Sequence, residues 1–348
     1  MPASKFPVLE NCFDDITRHM TKTYSRGKFH AAVLCREVFA RQNADIDKIP
    51  EFNHSGSLAV RLAADIAINP GQVIATVSDG KATKFLTSLG DGNEIESVLV
   101  PMKTYTTLCI SSQVGCRWGC VFCETGKKGF IRNLTVEEIV GQLYNARLIL
   151  KKGQIKNIVF MGMGEPLDNT ENVVQAIKVF SDQHCFNIAR KNITVSTVGI
   201  PHQLARMPGM LSPLPNLAVS LNAAFDSTRS RIMPVNRKYG LCALRDALLS
   251  LPLPKKRVIF FEYVLMQNLN DAYADAQQLV QFLTPFRARL NLIPYNENSC
   301  AGIQCPDDQT LIQFRDWLVA GGVFVRKRTA RGDTLAAGCG QLGNWKPI

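Results

Sequence analysis

The chain has 348 residues, 46% of them hydrophobic, and a formal net charge of +11. That length supports one large core, or one core with a smaller module. No apolar run approaches the ~20 residues of a membrane helix and Met1–Pro7 lacks the apolar stretch of a signal peptide, so we expect a cytoplasmic protein without a membrane partner.

The charge is unevenly placed. Residues 1–95 hold 11 Lys+Arg and 11 Asp+Glu, whereas residues 96–348 hold 29 and 18. A basic surface attracts polyanions, so any nucleic-acid contact is expected on the second part. The odd count of eleven cysteines argues against a fully paired secreted scaffold and for reduced thiols.

Residues 8–67 read as helical. Apolar residues recur three and four apart over Val8–Thr23, Lys28–Arg41 and Ser55–Ile68, interrupted at Pro50 and Phe52–Gly56. Cys12 and Cys35 fall on the apolar faces. The period then changes. Gln72–Ser78 and Lys81–Ser88 are strand-like and meet at Asp79-Gly80, a hairpin signal. A second turn at Gly90–Asn93 leads to Ile95–Val100. We therefore expect an accessory module over residues 1–90 and a catalytic domain over residues 91–348.

From Tyr105 the periods alternate. Strands are expected at Tyr105–Ser111, Asn157–Met161, Asn192–Ser196, Asn216–Leu221, Arg257–Leu265 and Arg289–Ile293. Helices are expected between and after them, at Thr135–Leu150, Thr170–Phe180, Ile200–Arg206, Leu241–Leu251, Ala272–Leu283 and Asp307–Ala320. Thr135 with Glu138 offers a capping-box start. Six βα units imply a parallel α/β sheet with right-handed crossovers. Six is short of the eight that close a barrel, so a partial (β/α)6 barrel is expected.

After the first strand come Cys116, Cys120 and Cys123, a C-x3-C-x2-C run. Structural zinc sites close with four ligands, and bacterial ferredoxin runs carry a fourth cysteine nearby. Here the next cysteine is Cys185. Three thiolates from one loop suit a 4Fe–4S cluster with one iron left open. Polar residues end the later strands: Met161–Pro166 with Gly164 and Glu165, Ser196-Thr197, Ser220-Leu221-Asn222, and Pro294-Tyr295-Asn296. Strand ends in such sheets converge on one mouth. Together they suggest a pocket for a zwitterionic ligand, with the glycines allowing close backbone approach.

These residues resemble the radical S-adenosylmethionine (SAM) superfamily, in the cysteine run with Phe122 before its last member and in the Gly-Glu-Pro segment. More narrowly, the chain resembles the RlmN/Cfr family of RNA adenine methyltransferases. Ser111–Cys116, Met161–Pro166, Arg231–Asn236, Leu292–Asn296 and Cys339–Leu342 carry that resemblance over about residues 90–345. It implies the radical-SAM partial barrel, and methyl transfer to carbon 2 or carbon 8 of an adenosine in rRNA or tRNA. Those carbons are electron-poor, so a radical serves them where an ordinary methyl transfer does not.

The resemblance also implies roles. Cys116, Cys120 and Cys123 would hold one 4Fe–4S cluster, which reduces SAM to a 5′-deoxyadenosyl radical. Gly164, Glu165, Ser196, Ser220, Leu221, Asn222 and Asn296 would hold SAM. Cys339 would take a methyl group from a first SAM and, after the radical from a second removes a hydrogen, join covalently to adenine. Cys109 would release the product by forming a transient disulfide with Cys339; taken alone, Cys109 reads as a strand-core residue. Glu96 would accept a proton. Two SAM are consumed per methylation, an electron donor such as flavodoxin or ferredoxin is required, and the family implies a monomer. Phosphate contacts are assigned to Lys127, Lys128, Arg132, Arg229, Arg231, Arg237, Lys238, Arg326, Lys327, Arg328 and Arg331.

Departures from the family are Asn222 where many members have histidine, and Thr334–Gly338 in place of an acidic lead-in to Cys339. The alternative left open is a radical-SAM enzyme on this scaffold acting on a different RNA or a non-RNA substrate. Cys185, Cys242, Cys300 and Cys305 have no assigned role.

Overall fold

The alternation of period after residue 105 becomes a wound sheet. The computed structural model describes residues 5–345 except 54–56, 151–152, 255, 297, 300–301, 329–334 and 344. Cys300, Arg331 and Thr334 lie outside the described residues. In chain order the helices and strands that matter here are α1 (Phe13–Tyr24), α2 (Lys28–Cys35), α3 (Leu58–Asp65), β1 (Gln72–Ser78), β2 (Thr83–Ser88), β3 (Glu94–Pro101) and β4 (Thr106–Cys109). Then follow α4 (Val136–Ile149), β5 (Ile155–Phe160), α5 (Thr170–Ser181), β6 (Ile193–Thr197), α6 (Pro201–Met210) and β7 (Asn216–Ser220). The last are α7 (Leu241–Leu249), β8 (Ile259–Leu265), α8 (Tyr273–Leu283), β9 (Ala288–Pro294), α9 (Asp308–Ala320) and β10 (Val325–Lys327).

All six expected βα units are present, each strand boundary within a few residues of its pattern. Among the described residues one sheet holds ten strands, in the order β10-β9-β8-β7-β6-β5-β4-β3-β2-β1. The strands from β4 to β10 run parallel, and β1 to β3 continue antiparallel from β4. β10 was not expected; its three residues sit inside a basic run, where charge hides the strand pattern.

The hairpin closes as its Asp-Gly pair requires. Gly80 has φ +78°, and Asp79 N–H donates to the Ala82 carbonyl at 3.2 Å. The boundary expected at residues 90/91 falls between β2 and β3, which pair over the whole length of β2. The sheet is thus continuous across it. Among the described residues the buried hydrophobic side chains form one large cluster, from Val8 to Leu342, and a smaller one that includes Phe122, Met233 and Tyr295.

The helical part packs on the outside of the barrel helices. Gln175 Nε2 in α5 donates to the Glu10 carbonyl at 2.9 Å, and Tyr144 OH in α4 donates to the Gln42 carbonyl at 2.7 Å. Cys35 is buried as expected, whereas Cys12 is half-buried. Cys185 is buried, Cys242 exposed and Cys305 half-buried. Among the described residues no helix is long and apolar enough to cross a membrane.

α4 begins with the expected capping box, Glu138 N–H donating to Thr135 Oγ1 at 3.2 Å and Thr135 N–H to Glu138 Oε2 at 2.9 Å. One turn later it carries Gln142, fully buried. Its Oε1 accepts from Ser97 Oγ and from Ser111 N–H, both at 2.8 Å, and its Nε2 donates to the Ser111 carbonyl at 2.9 Å. One amide therefore ties α4 to β3 and to the turn leading into the cysteine loop. Gln142→Leu should cost about 3 kcal/mol or more, because buried groups of Ser97 and Ser111 lose partners; denaturant unfolding would measure it, and a loss under about 1 kcal/mol would contradict this account.

Candidate active site

The cysteine loop departs from β4 and is held from three sides. Cys116 N–H donates to the Gly129 carbonyl at 2.9 Å, Val121 N–H to the Ile232 carbonyl at 3.0 Å, and Cys123 N–H to the Cys120 carbonyl at 3.0 Å. Cys116, Cys120 and Cys123 line one cavity of about 150 Å³. Burial pushes the Cys116 thiol up to about 12 and the Cys120 thiol well above its ordinary value, and the neighbouring thiols add to both shifts. Such a group is uncomfortable as three thiolates alone; a bound cationic centre would reverse that preference. Among the described residues no three ligating side chains are close enough to clasp a single metal ion. Three thiols lining one cavity have the ligand chemistry of an iron–sulfur cluster.

The same cavity is lined by Gly164, Glu165, Ser196, Ser220 and Asn222 from the ends of β5, β6 and β7, and by Cys339. The sequence expectation of converging strand ends therefore holds for these residues. Glu165 is buried. Its carboxylate accepts from Thr197 Oγ1 at 2.7 Å, Val198 N–H at 2.9 Å and Leu167 N–H at 3.0 Å. Burial nonetheless raises its pKa to about 7, against those hydrogen bonds.

The glycines line the cavity and also admit a second neighbour. A Cβ on Gly162 would lie 2.6 Å from the Ile110 carbonyl oxygen, and one on Gly164, at φ +93°, 2.4 Å from Gln113 Cβ. They make room for the chain leaving β4. Two other expected residues stand apart from the cavity wall. Leu221 is fully buried in the hydrophobic core. Asn296 Nδ2 donates to the Cys339 carbonyl at 3.2 Å, so it holds the cysteine's own loop. Asn222 sits at φ +58°, a conformation that asparagine tolerates. Its Oδ1 accepts from Val264 N–H at 2.9 Å, and its carbonyl accepts from Asn270 Nδ2 at 2.7 Å.

Cys339 reaches the cavity because the C-terminal loop is fastened to the cysteine loop. Glu124 N–H donates to the Gly340 carbonyl at 2.8 Å, Thr125 Oγ1 to the Leu342 carbonyl at 2.6 Å, and Gly343 N–H to Glu96 Oε1 at 2.9 Å. Glu96 is itself buried in an ion pair with Lys84, Oε2 to Nζ 3.2 Å, both side chains almost fully enclosed. It lines neither cavity described here.

Cys109 lines a second cavity of about 290 Å³, with Arg326, Lys327 and Arg328 on its rim. The two cavities share Met161 and Glu262. Burial pushes the Cys109 thiol up to about 12, with neighbouring Cys339 adding to the shift and Arg328 opposing it. Sequence reasoning missed Glu262, a lone acid inside a hydrophobic strand pattern, and that oddity was the available signal.

Two of the basic residues spend their charge within the protein, Arg229 buried and Arg132 half-buried. Arg229 is fully buried. It donates to the carbonyls of Leu221 (3.0 Å), Val198 (2.7 Å) and Ser220 (3.2 Å) and to Asn236 Oδ1 (2.9 Å). Burial lowers its pKa to about 10. Arg132 makes a bidentate pair with Glu138, both bonds 2.8 Å, and bonds Asp91 at 2.6 Å. Both are structural, and this corrects their assignment to phosphate. Lys127, Lys128, Arg231, Arg237, Lys238, Arg326 and Lys327 are exposed.

The raised Glu165 pKa has a sign. The folded chain keeps this proton to higher pH than the unfolded chain, so stability falls as pH rises from 4.5 to about 7. Glu165→Gln should flatten that slope in thermal melts taken across this window; an unchanged slope would count against the assignment.

Comparisons with known proteins agree with this geometry. The family model described as Radical SAM superfamily matches residues 110–279. A probable dual-specificity RNA methyltransferase RlmN 1 from Protochlamydia amoebophila is 38% identical over 97% of this chain and 94% of the relative. The dual-specificity RNA methyltransferase RlmN 2 from Myxococcus xanthus is 37% identical over 99% of this chain and 92% of that one. Among solved structures, a radical SAM methyltransferase from Sphaerobacter thermophilus matches with a TM-score of 0.89 and 31% identity, covering 97% of this chain and 99% of that chain. With its relatives aligned over nearly their whole lengths and its cysteine loop after the first parallel strand, the chain belongs to the radical SAM superfamily and, within it, to the RlmN/Cfr family.

Proposed function

We propose that this protein is a radical-SAM RNA methyltransferase that methylates carbon 2 or carbon 8 of an adenosine in rRNA, tRNA or both. The observation that carries the reading is the loop fastened between Glu124 and Glu96, which puts Cys339 in the cavity of the three loop cysteines. Membership of the superfamily implies a 4Fe–4S cluster and SAM. The residues present fit both: three sulfurs lining one cavity for the cluster, and a carboxylate with two serine-bearing strand ends for a zwitterion. When bound, that pair supplies a carbon radical by reductive cleavage of SAM.

The chain's own residues then divide the work. Cys116, Cys120 and Cys123 are the cluster ligands. Glu165 accepts from the SAM ammonium, with Gly164, Ser196, Ser220 and Asn222 around it. Leu221 and Asn296 act indirectly, one by packing and the other through the Cys339 loop. Cys339 Sγ carries the methyl group and bonds to the RNA. Cys109 resolves that adduct across the wall of Met161 and Glu262, as thiol–disulfide exchange requires close approach. Two SAM are used per methyl group transferred.

The exposed Arg326 and Lys327 at the rim of the Cys109 cavity suit RNA phosphates, and the target base leaves its stack to enter. We retain residues 1–90 as a functional module and 91–348 as the catalytic one, although the sheet runs through both. The proposal includes a flavodoxin or ferredoxin as electron donor, a monomer, and a cytoplasmic location.

Cys339→Ala should abolish RNA methylation yet still yield 5′-deoxyadenosine under anaerobic reducing conditions. Methylated RNA from that variant would overturn the reading. Mass spectrometry of rRNA and tRNA from cells with and without the gene would identify the RNA and the carbon.

A further inference from the structure

We propose that the outward face of the cysteine loop, flanked by Arg231 and Lys238, is the docking surface for an acidic one-electron carrier protein of the flavodoxin or ferredoxin class; this rests on the radical-SAM reading above. The loop has two sides. Cys116, Cys120 and Cys123 line the cavity, whereas Arg117 and Val121 do not and are exposed. Electron tunnelling falls off steeply with distance. A protein cannot enter a cavity of about 150 Å³, so its electron reaches the three cysteines across the loop that carries them.

Tertiary contacts assemble the surface around that loop. Val121 N–H donates to the Ile232 carbonyl at 3.0 Å, which brings the segment of exposed Arg231 beside it. Trp118 faces Tyr239 with ring centroids 6.4 Å apart, and Lys238 Nζ lies 5.2 Å over the Tyr239 ring. Arg117 covers one face of Phe130 at 4.5 Å. Val121 is 39% and Phe130 37% exposed. The acids nearby are engaged within the chain. Asp168 pairs with Arg117 at 3.3 Å. Asp226 Oδ1 accepts from Asn236 Nδ2 at 2.8 Å and Leu241 N–H at 2.9 Å. Buried Glu124 accepts from Ser299 N–H at 2.6 Å and Ser299 Oγ at 2.8 Å. The result is a small apolar centre with positive charge at its edge.

That composition favours a protein over RNA. Charge alone would suit either. The apolar centre gains nothing from phosphate, and Phe130 has given one face to Arg117, which leaves less ring for a base to stack on. A carrier must also leave once its electron has crossed, and small, charge-steered patches are what redox partners use. Arg326 and Lys327, on the rim of the Cys109 cavity, remain the RNA side. Arg231 and Lys238, expected from the sequence to meet phosphate, pass to the carrier. One electron crosses this surface for each reductive cleavage of SAM. The carrier is oxidised by one electron, and the centre held by Cys116, Cys120 and Cys123 gains it. The electron then enters the C5′–S bond of SAM, which breaks to methionine and a 5′-deoxyadenosyl radical.

The test uses reconstituted holoenzyme and two double variants with the same change in net charge. The loop pair is Arg231→Gln with Lys238→Gln, and the rim pair is Arg326→Gln with Lys327→Gln. The probes are a purified flavodoxin, dithionite and total tRNA. Calorimetry gives the flavodoxin affinity, filter binding the tRNA affinity, and chromatography the 5′-deoxyadenosine formed with each reductant. The loop pair should bind flavodoxin about tenfold more weakly than the rim pair does, and should need correspondingly more flavodoxin for half-maximal 5′-deoxyadenosine formation. With dithionite, which needs no docking, it should match the parent. The rim pair should lose more tRNA affinity than the loop pair. The proposal is overturned if the loop pair binds flavodoxin as well as the rim pair does, or if it is the variant that loses more tRNA affinity, which would make this face an RNA surface. A loss of more than about threefold in dithionite-driven product from the loop pair would also overturn it, because steering charges act on encounter alone. So would a parent that binds neither flavodoxin nor ferredoxin. A parent that takes electrons from flavodoxin but never methylates RNA would instead sink the RNA methyltransferase reading and leave this surface standing.

Discussion

The whole site depends on a short strap of hydrogen bonds that ties the C-terminal loop to the end of the cysteine loop and to β3, each more than two hundred residues away. Gly340 and Leu342 offer carbonyls to Glu124 and Thr125, and Gly343 offers an N–H to Glu96. A Cβ on Gly340 would lie 2.9 Å from the Phe122 carbonyl oxygen, and one on Gly343 3.1 Å from Thr125 Cα. Both glycines also sit at positive φ, so the backbone there is available to few other residues. The strap brings Cys339 to the three-cysteine cavity. Asn298 Nδ2 reinforces it by donating to the Phe122 carbonyl at 2.9 Å.

A second constraint lies under the strand ends. Arg229 spends its guanidinium on carbonyls of three strand-end residues and one asparagine, rather than on a carboxylate. A buried cation satisfied by carbonyl dipoles is costly to leave unpaired. It is tolerable here because every acceptor is fixed by a parallel strand or a tight turn. The result joins the loops after β6 and β7 into one rigid shelf beside Glu165. Asn222 completes that shelf through β8, where its amide caps Val264. The asparagine thus fixes the chain at the end of β7.

Much of the fold was legible. Periods of two and of three to four separate strands from helices, and the Asp79-Gly80 and Thr135–Glu138 signals depend only on neighbours in the chain. The short strand β10 was not legible, because its side chains are charged and its pairing to β9 supplies the order. Of the site, Cys116, Cys120 and Cys123 were legible from spacing. Gly164, Glu165, Ser196, Ser220 and Asn222 followed from their places at strand ends. Glu262 was signalled only as a lone acid in a hydrophobic strand, and Lys84 looks like a solvent-facing strand residue until the strand's neighbours bury it. Arg229 was misread for the same reason, and Arg132 because its partners Asp91 and Glu138 are not visible as such in the sequence.

By itself the sequence determined what is local. It set the order of strands and helices, the tight turns, the three thiols on one loop, and the family through its combination of motifs. Tertiary structure alone decided which distant groups share a cavity. It placed Cys339 with the cysteine loop, Cys109 across a common wall, Glu262 between them and Glu96 under the strap. The physical reason is that a thiol or carboxylate acquires its role from desolvation and from the charges facing it, and both are set by chain segments far away in sequence.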